Sequence, residues 1–190
     1  MPILNKDMTL CISLAGRPSN LGTRFHNFLY DELGLNFIYK AFTTDDIEGA
    51  IRGVRALGIR GCSVSMPYKE AVIPLIDVLE ESAAAIESVN TIVNDAGRLS
   101  GSNTDYEAVA QLLAEHAIDP SSSVLVRGSG GMAKAVVAAF RGAGFGGLTV
   151  LARNEVAGSG LAEKYGYRWQ GTDPAPGAAV IVNVTPLGMH

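Results

Sequence analysis

The segment Val124-Leu125-Val126-Arg127-Gly128-Ser129-Gly130-Gly131-Met132-Ala133 constrains this chain more than any other. A short apolar run leads into a glycine-rich turn, and Met132 to Ala143 then has the spacing of a helix. The pattern G-x-G-x-x-A gives each small residue a task. Gly128 permits the tight turn, Gly130 lets backbone approach a pyrophosphate, and Ala133 allows helix to pack closely on strand. Ser129, Gly131 and Met132 complete the turn. The helix N-terminus behind them offers N–H donors and a partial positive charge to the phosphates. The competing reading is an ordinary strand-to-helix turn; the strand before it and the clean helix after it favour dinucleotide binding.

The next strand ends at Leu151-Ala152-Arg153-Asn154. An NAD site usually carries an acid there for the ribose 2′-hydroxyl. Arg153 instead suits a 2′-phosphate, held by two parallel hydrogen bonds, so NADP is the expected cofactor. A solvated arginine is the alternative, and Glu155 lies close by in the chain.

Around this turn, apolar runs alternate with helical stretches, which predicts an α/β fold with a parallel sheet covered on both faces. Strands are expected at 9–15, 36–42, 59–66, 123–127, 148–152 and 178–182, with a short one at 167–170. A hairpin is expected over 89–101 around Asp95-Ala96-Gly97. Helices are expected at 23–33, with Phe25, Phe28, Leu29 and Leu33 on one side, at 44–57 behind a Thr44 cap, at 68–79, 82–86, 104–116, 132–143 and 157–165. The polar stretch Asp119 to Ser123 reads as a linker. Residues 1–119 are thus expected to form an α/β substrate domain, and 120–190 a Rossmann-type, doubly wound dinucleotide domain. Four strands at most follow Ser123, against about six in a full fold of that type. The second domain is therefore expected to be incomplete, with an exposed apolar edge and weak stability or dependence on a partner chain.

Composition narrows the partners. A formal net charge of -4 over 190 residues argues against a nucleic acid or an anionic membrane, but leaves room for one small anion in a local pocket. The absence of a long apolar run argues against a membrane span. Cys11 and Cys62 lie in apolar runs and read as reduced core residues of a cytoplasmic protein, not as metal ligands. A monomer or homodimer acting on a small molecule is expected.

Two further stretches carry polar groups at element ends. Ser63-Val64-Ser65-Met66-Pro67-Tyr68-Lys69 puts two serines on one side of a strand and a lysine just past it. Ser102-Asn103-Thr104-Asp105 opens a helix. A lysine and an aspartate sharing a site can move protons. Spacing alone leaves the plainer reading ahead: a surface lysine and a helix-capping aspartate.

The order of motifs changes that balance. Ser65 to Glu70 resembles the V-T-V-P-[FY]-K stretch of the shikimate dehydrogenase family, Ser88 to Ile92 its A-V-N-T motif, and Asn103-Thr104-Asp105 its N-T-D motif. Gly128 to Ala135 resembles G-A-G-G-A-[AS]-[RK]-[GA], Ala152-Arg153-Asn154 stands where the family has N-R-T, and Asn183 to Met189 resembles N-A-T-x-x-G-M. The resemblance implies an enzyme interconverting 3-dehydroshikimate and shikimate with NADP(H). By motif, Lys69 is its catalytic lysine and Asp105 the partner, while Ser65, Asn90 and Ser63 hold ring hydroxyls. Asn154, Asn183 and Thr185 would line the cofactor site, with Gly188 and Met189 beside the nicotinamide. The family's S-x-S, which holds the substrate carboxylate, is absent in register from Gly16-Arg17-Pro18-Ser19-Asn20-Leu21-Gly22-Thr23, so Ser19, Asn20 or Thr23 is expected to replace it at a helix start. His26 is expected to be structural and His116 exposed. The readings left open are a quinate/shikimate enzyme using NAD and a non-catalytic module that binds a dinucleotide or a cyclitol acid.

Overall fold

The computed structural model describes residues 4–171, 177–185 and 187. Internal contacts divide the chain into two compact units, Met1–Thr104 and Asp105–His190.

The first unit contains β1 (Thr9–Leu14), α1 (Asn20–Glu32), β2 (Phe37–Phe42), α2 (Ile47–Ala56), β3 (Gly61–Val64), β4 (Val78–Leu79), α3 (Glu81–Ala84), β5 (Thr91–Asp95) and β6 (Arg98–Ser102). Its sheet runs β2-β1-β3-β5-β6-β4. β1 pairs in parallel with β2 and β3, while β5 is antiparallel to β3 and β6. Side chains alternate across a strand, so the sheet has two distinct faces. Ile12, Leu14, Cys62 and Val64 join Ile51 and Val54 of α2 in one core. Cys11 and Tyr39, which are register partners, face the other way toward α1. Burial, reinforced by the neighbouring Cys11, pushes the Cys62 thiol up to about 12.

Several local expectations shift. The first helix starts at Asn20, and its apolar positions are not its inner face: Phe25, Phe28 and Leu33 are exposed. The second helix is capped by Asp46, which accepts from Gly49 N at 2.7 Å, and not by Thr44, whose hydroxyl accepts from Asp46 N. The expected helix over 68–79 is a series of turns with one short 3-10 turn at Ile73–Leu75. Non-local bonds outweigh the local pattern there. Val78 and Leu79 pair with β6, and Asp77 accepts from Leu99 N and from Arg55. That guanidinium holds the Asp77 carboxyl below its ordinary range, and it also donates to the carbonyl of Gly97. The hairpin is as expected, with Ala96 and Gly97 both at positive φ, the combination a tight hairpin turn needs.

The second unit contains β7 (Val124–Arg127), α5 (Gly131–Gly142), β8 (Leu148–Leu151), α6 (Glu155–Lys164), β9 (Arg168–Gln170) and β10 (Val180–Asn183). The four strands are parallel, in the order β10-β7-β8-β9. Its core joins Val126 and Val150 to Val136, Val137 and Phe140 of α5 and Leu161 of α6. Leu113, Val109 and Ala110 of α4 (Thr104–Glu115) pack on the same core. The contact division accordingly falls just after the first residue of α4, and the Asp119–Ser123 stretch is a turn, with Ser122 N bonded to Asp119 O. β10 is paired on one side, and Ile181 is 68% exposed. Beside it lies an apolar groove of about 670 Å³ with Val109, Met132, Val180 and Val182 among its walls. Among the described residues, no helix is long and apolar enough to cross a membrane, and no group of three His, Cys, Asp or Glu residues is placed to hold a metal.

Candidate active site

In the first unit, the polar residues singled out by motif gather at one end of the sheet. β1, β3 and β6 all point the same way, and ligands of open α/β sheets sit at such carboxyl ends. Ser65 N donates to Leu14 O at 2.9 Å, and Val64 N donates to Asn90 O at 2.8 Å, so the end of β3 lies between β1 and the Asn90 segment. Lys69 is half-buried, and its carbonyl accepts from Val89 N at 2.8 Å, which ties the lysine loop to the residue before Asn90. The Tyr68 hydroxyl donates to Thr44 O, fixing the same loop from its other side. Ser63 is half-buried opposite Thr91, and Ser65 is exposed.

Asn90 is the clamp of this group. Its Oδ1 accepts from Thr104 N at 3.0 Å, and its Nδ2 donates to Thr104 Oγ1 at 3.0 Å. Asn103 supports the same corner from within: it is 1% exposed, its N–H donates to Ser82 Oγ at 3.0 Å, and its Nδ2 donates to Ser88 O at 2.8 Å. Asp105 follows Thr104 directly in the chain and is half-buried. Thr104 and Asn103 were present in the N-T-D motif, but their work of holding the corner follows from bonds to Asn90, Ser82 and Ser88, which lie far off in sequence.

The loop between β1 and α1 adjoins this end. Gly16 N donates to Met66 O at 3.0 Å. Ser19 caps α1, accepting from Leu21 N at 3.3 Å, with Asn20 and Thr23 in the first turn behind it. His26 stacks on Tyr39 at 4.3 Å between ring centroids, and burial lowers its pKa, as befits a structural histidine.

In the second unit the glycine turn leaves room for a phosphate. Gly128 has φ +125, and a Cβ there would lie 3.1 Å from Val184 O and 3.0 Å from Val184 Cγ2. A side chain is thus excluded on two counts. Among the described residues, Gly130 caps α5 with no side-chain hydrogen bond, and a Cβ on it or on Gly131 would meet nothing within 4 Å. The first N–H groups of α5 stand at the positive end of a helix dipole, the arrangement that receives a pyrophosphate. Ser129 is half-buried, Met132 is 42% exposed, and Ala133 is fully buried under the helix. Arg153 is exposed just past β8, and Asn154 caps α6 through Ala157 N at 3.1 Å. Asn183 Oδ1 accepts from Thr185 Oγ1 at 2.7 Å, closing the turn after β10. Gly188 and Met189 lie outside the described residues. These residues fit a dinucleotide.

Comparison with known proteins agrees. Residues 19–92 match the family model of the shikimate dehydrogenase substrate binding domain. A shikimate dehydrogenase-like protein of Haemophilus influenzae is 59% identical over 187 residues, covering 98% of this chain and 69% of the relative. A shikimate dehydrogenase (NADP(+)) of Rubrobacter xylanophilus is 37% identical over 197 residues, covering 96% and 69%. The solved structure of a shikimate 5-dehydrogenase-like protein superposes with a TM-score of 0.94 at 59% identity, over 98% of this chain and 70% of that one. Fold, glycine turn and relatives together define an α/β dehydrogenase. More narrowly, the chain belongs to the shikimate dehydrogenase family.

Proposed function

We propose that this chain is an NADP-dependent dehydrogenase interconverting 3-dehydroshikimate and shikimate, or a close cyclitol acid. The observation that carries the reading is the cluster at the end of the first sheet: the Lys69 loop bonded to Val89, and Asn90 clamped to Thr104. When bound, the dinucleotide takes or gives a hydride at its nicotinamide C4. Lys69 serves as general base for the alcohol proton in oxidation and as general acid in reduction. Asp105 is its carboxylate partner in the Asn103-Thr104-Asp105 motif. Asn90, Ser65 and Ser63 bond ring hydroxyls, and rings lacking them are rejected because those groups are left unpaired. Ser19, Asn20 and Thr23, at the α1 N-terminus, take the substrate carboxylate. Gly128 to Ala133 cradle the pyrophosphate, Arg153 selects the 2′-phosphate of NADP over the bare hydroxyl of NAD, and Asn154, Asn183, Thr185, Gly188 and Met189 line the rest of the cofactor. Substrate recognition belongs to residues 1–119 and dinucleotide binding to 120–190. Two buried free cysteines support a cytoplasmic, reducing setting, with the chain a monomer or homodimer.

The test is shikimate-dependent reduction of NADP(+) and NAD(+) by the chain and by Lys69→Ala. We expect turnover with NADP(+) to exceed that with NAD(+), and Lys69→Ala to lower kcat by roughly a hundredfold or more, the scale of lost acid–base catalysis. Equal rates in the two forms would remove Lys69 from the mechanism.

A further inference from the structure

We infer that Asn27 is a positioning residue for the substrate site: its carboxamide docks α1 onto the backbone of Tyr39 and so sets where Ser19, Asn20 and Thr23 stand. This rests on the reading of those three residues as the carboxylate site.

The need for such a residue follows from how α1 is packed. No residue of the helix is buried. Leu21, Phe25 and Phe28 point outward, at 77%, 55% and 61% exposure. Apolar burial, which usually fixes a helix on its sheet, is thin here. Two of the inner contacts are between rings: His26 lies on Tyr39 at 4.3 Å, and Tyr30 meets Phe37 at 5.3 Å. Ring contacts are broad in geometry and tolerate sliding.

Asn27 is different in kind. Its Nδ2 donates to Tyr39 O at 2.8 Å, and its Oδ1 accepts from Tyr39 N at 3.0 Å. Both outward-facing backbone groups of one edge-strand residue are met by one amide, as a neighbouring strand would meet them. Such a two-point bond fixes translation and rotation together, because hydrogen bonds weaken steeply away from about 2.9 Å and a straight angle. The Nδ2 also donates to Thr23 O at 2.7 Å. The carboxamide has two N–H donors, so its donor capacity is filled.

That last bond links the dock to the site. Thr23 is one turn N-terminal to Asn27, and Asn20 lies roughly 10 Å along the axis at 1.5 Å per residue. Tyr39 is 5% exposed and paired with Cys11 on β1, so it belongs to the rigid part of the sheet. The far side of the β1–α1 loop is held by Gly16 N on Met66 O. The loop is therefore pinned at one end to the strand end before Lys69 and at the other, through α1, to Tyr39. Losing the Asn27 bond frees the second anchor and leaves the first intact. The step that suffers is capture of the carboxylate, not movement of the proton or hydride.

The experiment measures KM and kcat for shikimate, shikimate binding by calorimetry and NADP(+) affinity, for the unaltered chain, Asn27→Ala and Asn27→Gln. Shikimate methyl ester, which lacks the charge, is run beside the acid. We expect Asn27→Ala to raise KM and Kd for shikimate about tenfold, with kcat within twofold and NADP(+) affinity unchanged. Asn27→Gln keeps both donor and acceptor and recovers part of the loss. Binding of the ester should be alike in all three forms. Should the alanine form precipitate, Asn27→Asp, which keeps the acceptor and loses the donors, carries the same arms. Unchanged shikimate binding, equal weakening of acid and ester, or a parallel fall in kcat and NADP(+) affinity overturns the role of Asn27. An unaltered chain that binds no shikimate overturns the assignment of the carboxylate site itself, and this inference with it.

Discussion

α1 and α5 do the same topological job by opposite means. Each follows the first strand of its unit, and each presents its N-terminus to a candidate anion, a carboxylate in one case and a pyrophosphate in the other. From Ala133 to Phe140, only Lys134 of α5 escapes burial. α1 buries nothing and holds to its sheet by an amide and stacked rings. A helix placed by close-packed apolar contacts cannot move without opening voids, whereas one placed by a few polar contacts has its position written in those contacts. The helix behind the glycine turn is thus set by volume, and the start of α1 by hydrogen bonds.

The largest expected effect lies in α5. Phe140 is 2% exposed and meets Phe145 edge-on at 4.8 Å. Phe140→Ala should cost about 3–5 kcal/mol, read from urea unfolding followed by the fluorescence of Trp169, the chain's one tryptophan. A loss under about 1 kcal/mol would deny that volume holds this helix. Next comes Gly128→Ala, which sets a Cβ at φ +125 against Val184. It should cost about 1–3 kcal/mol and abolish NADPH binding in a fluorescence titration. Retained binding would show that the turn gives way more easily than its contacts imply. The smallest effect is expected on α1. Phe28→Ser should change stability by no more than about 0.5 kcal/mol in the same denaturation. A clearly larger loss would mean that the outer face of α1 is packed after all.

How much of this was legible in sequence depends on whether the deciding contacts are local. The glycine turn is local, since Gly128, Gly130 and Ala133 owe their identity to a few neighbouring atoms. So is the hairpin turn at Ala96-Gly97. The inner face of α1 was not legible. Phe25, Phe28 and Leu33 recur at helical spacing, yet Gly22, His26, Asn27 and Tyr30 face the sheet, because Tyr39 and Phe37 supply partners for them. The segment after Pro74 misled for a similar reason: Asp77 answers to Leu99 and Arg55, which are distant in the chain. Asp46 displaced Thr44 as a cap because two good capping residues two positions apart cannot be ranked by type alone. Lys69 and Asp105 were singled out by motif and not by spacing, and they stand in the site as proposals. Asn27 was singled out by neither, since its partners are backbone groups of a residue on another element.

Among the described residues, the two sheets exchange no strand. Every strand of the first lies between Thr9 and Ser102, and every strand of the second between Val124 and Asn183. The ribosome therefore synthesises the whole first sheet before it reaches the glycine turn, and domains tend to fold in the order of their synthesis. Pairing errors between the halves are discouraged by timing.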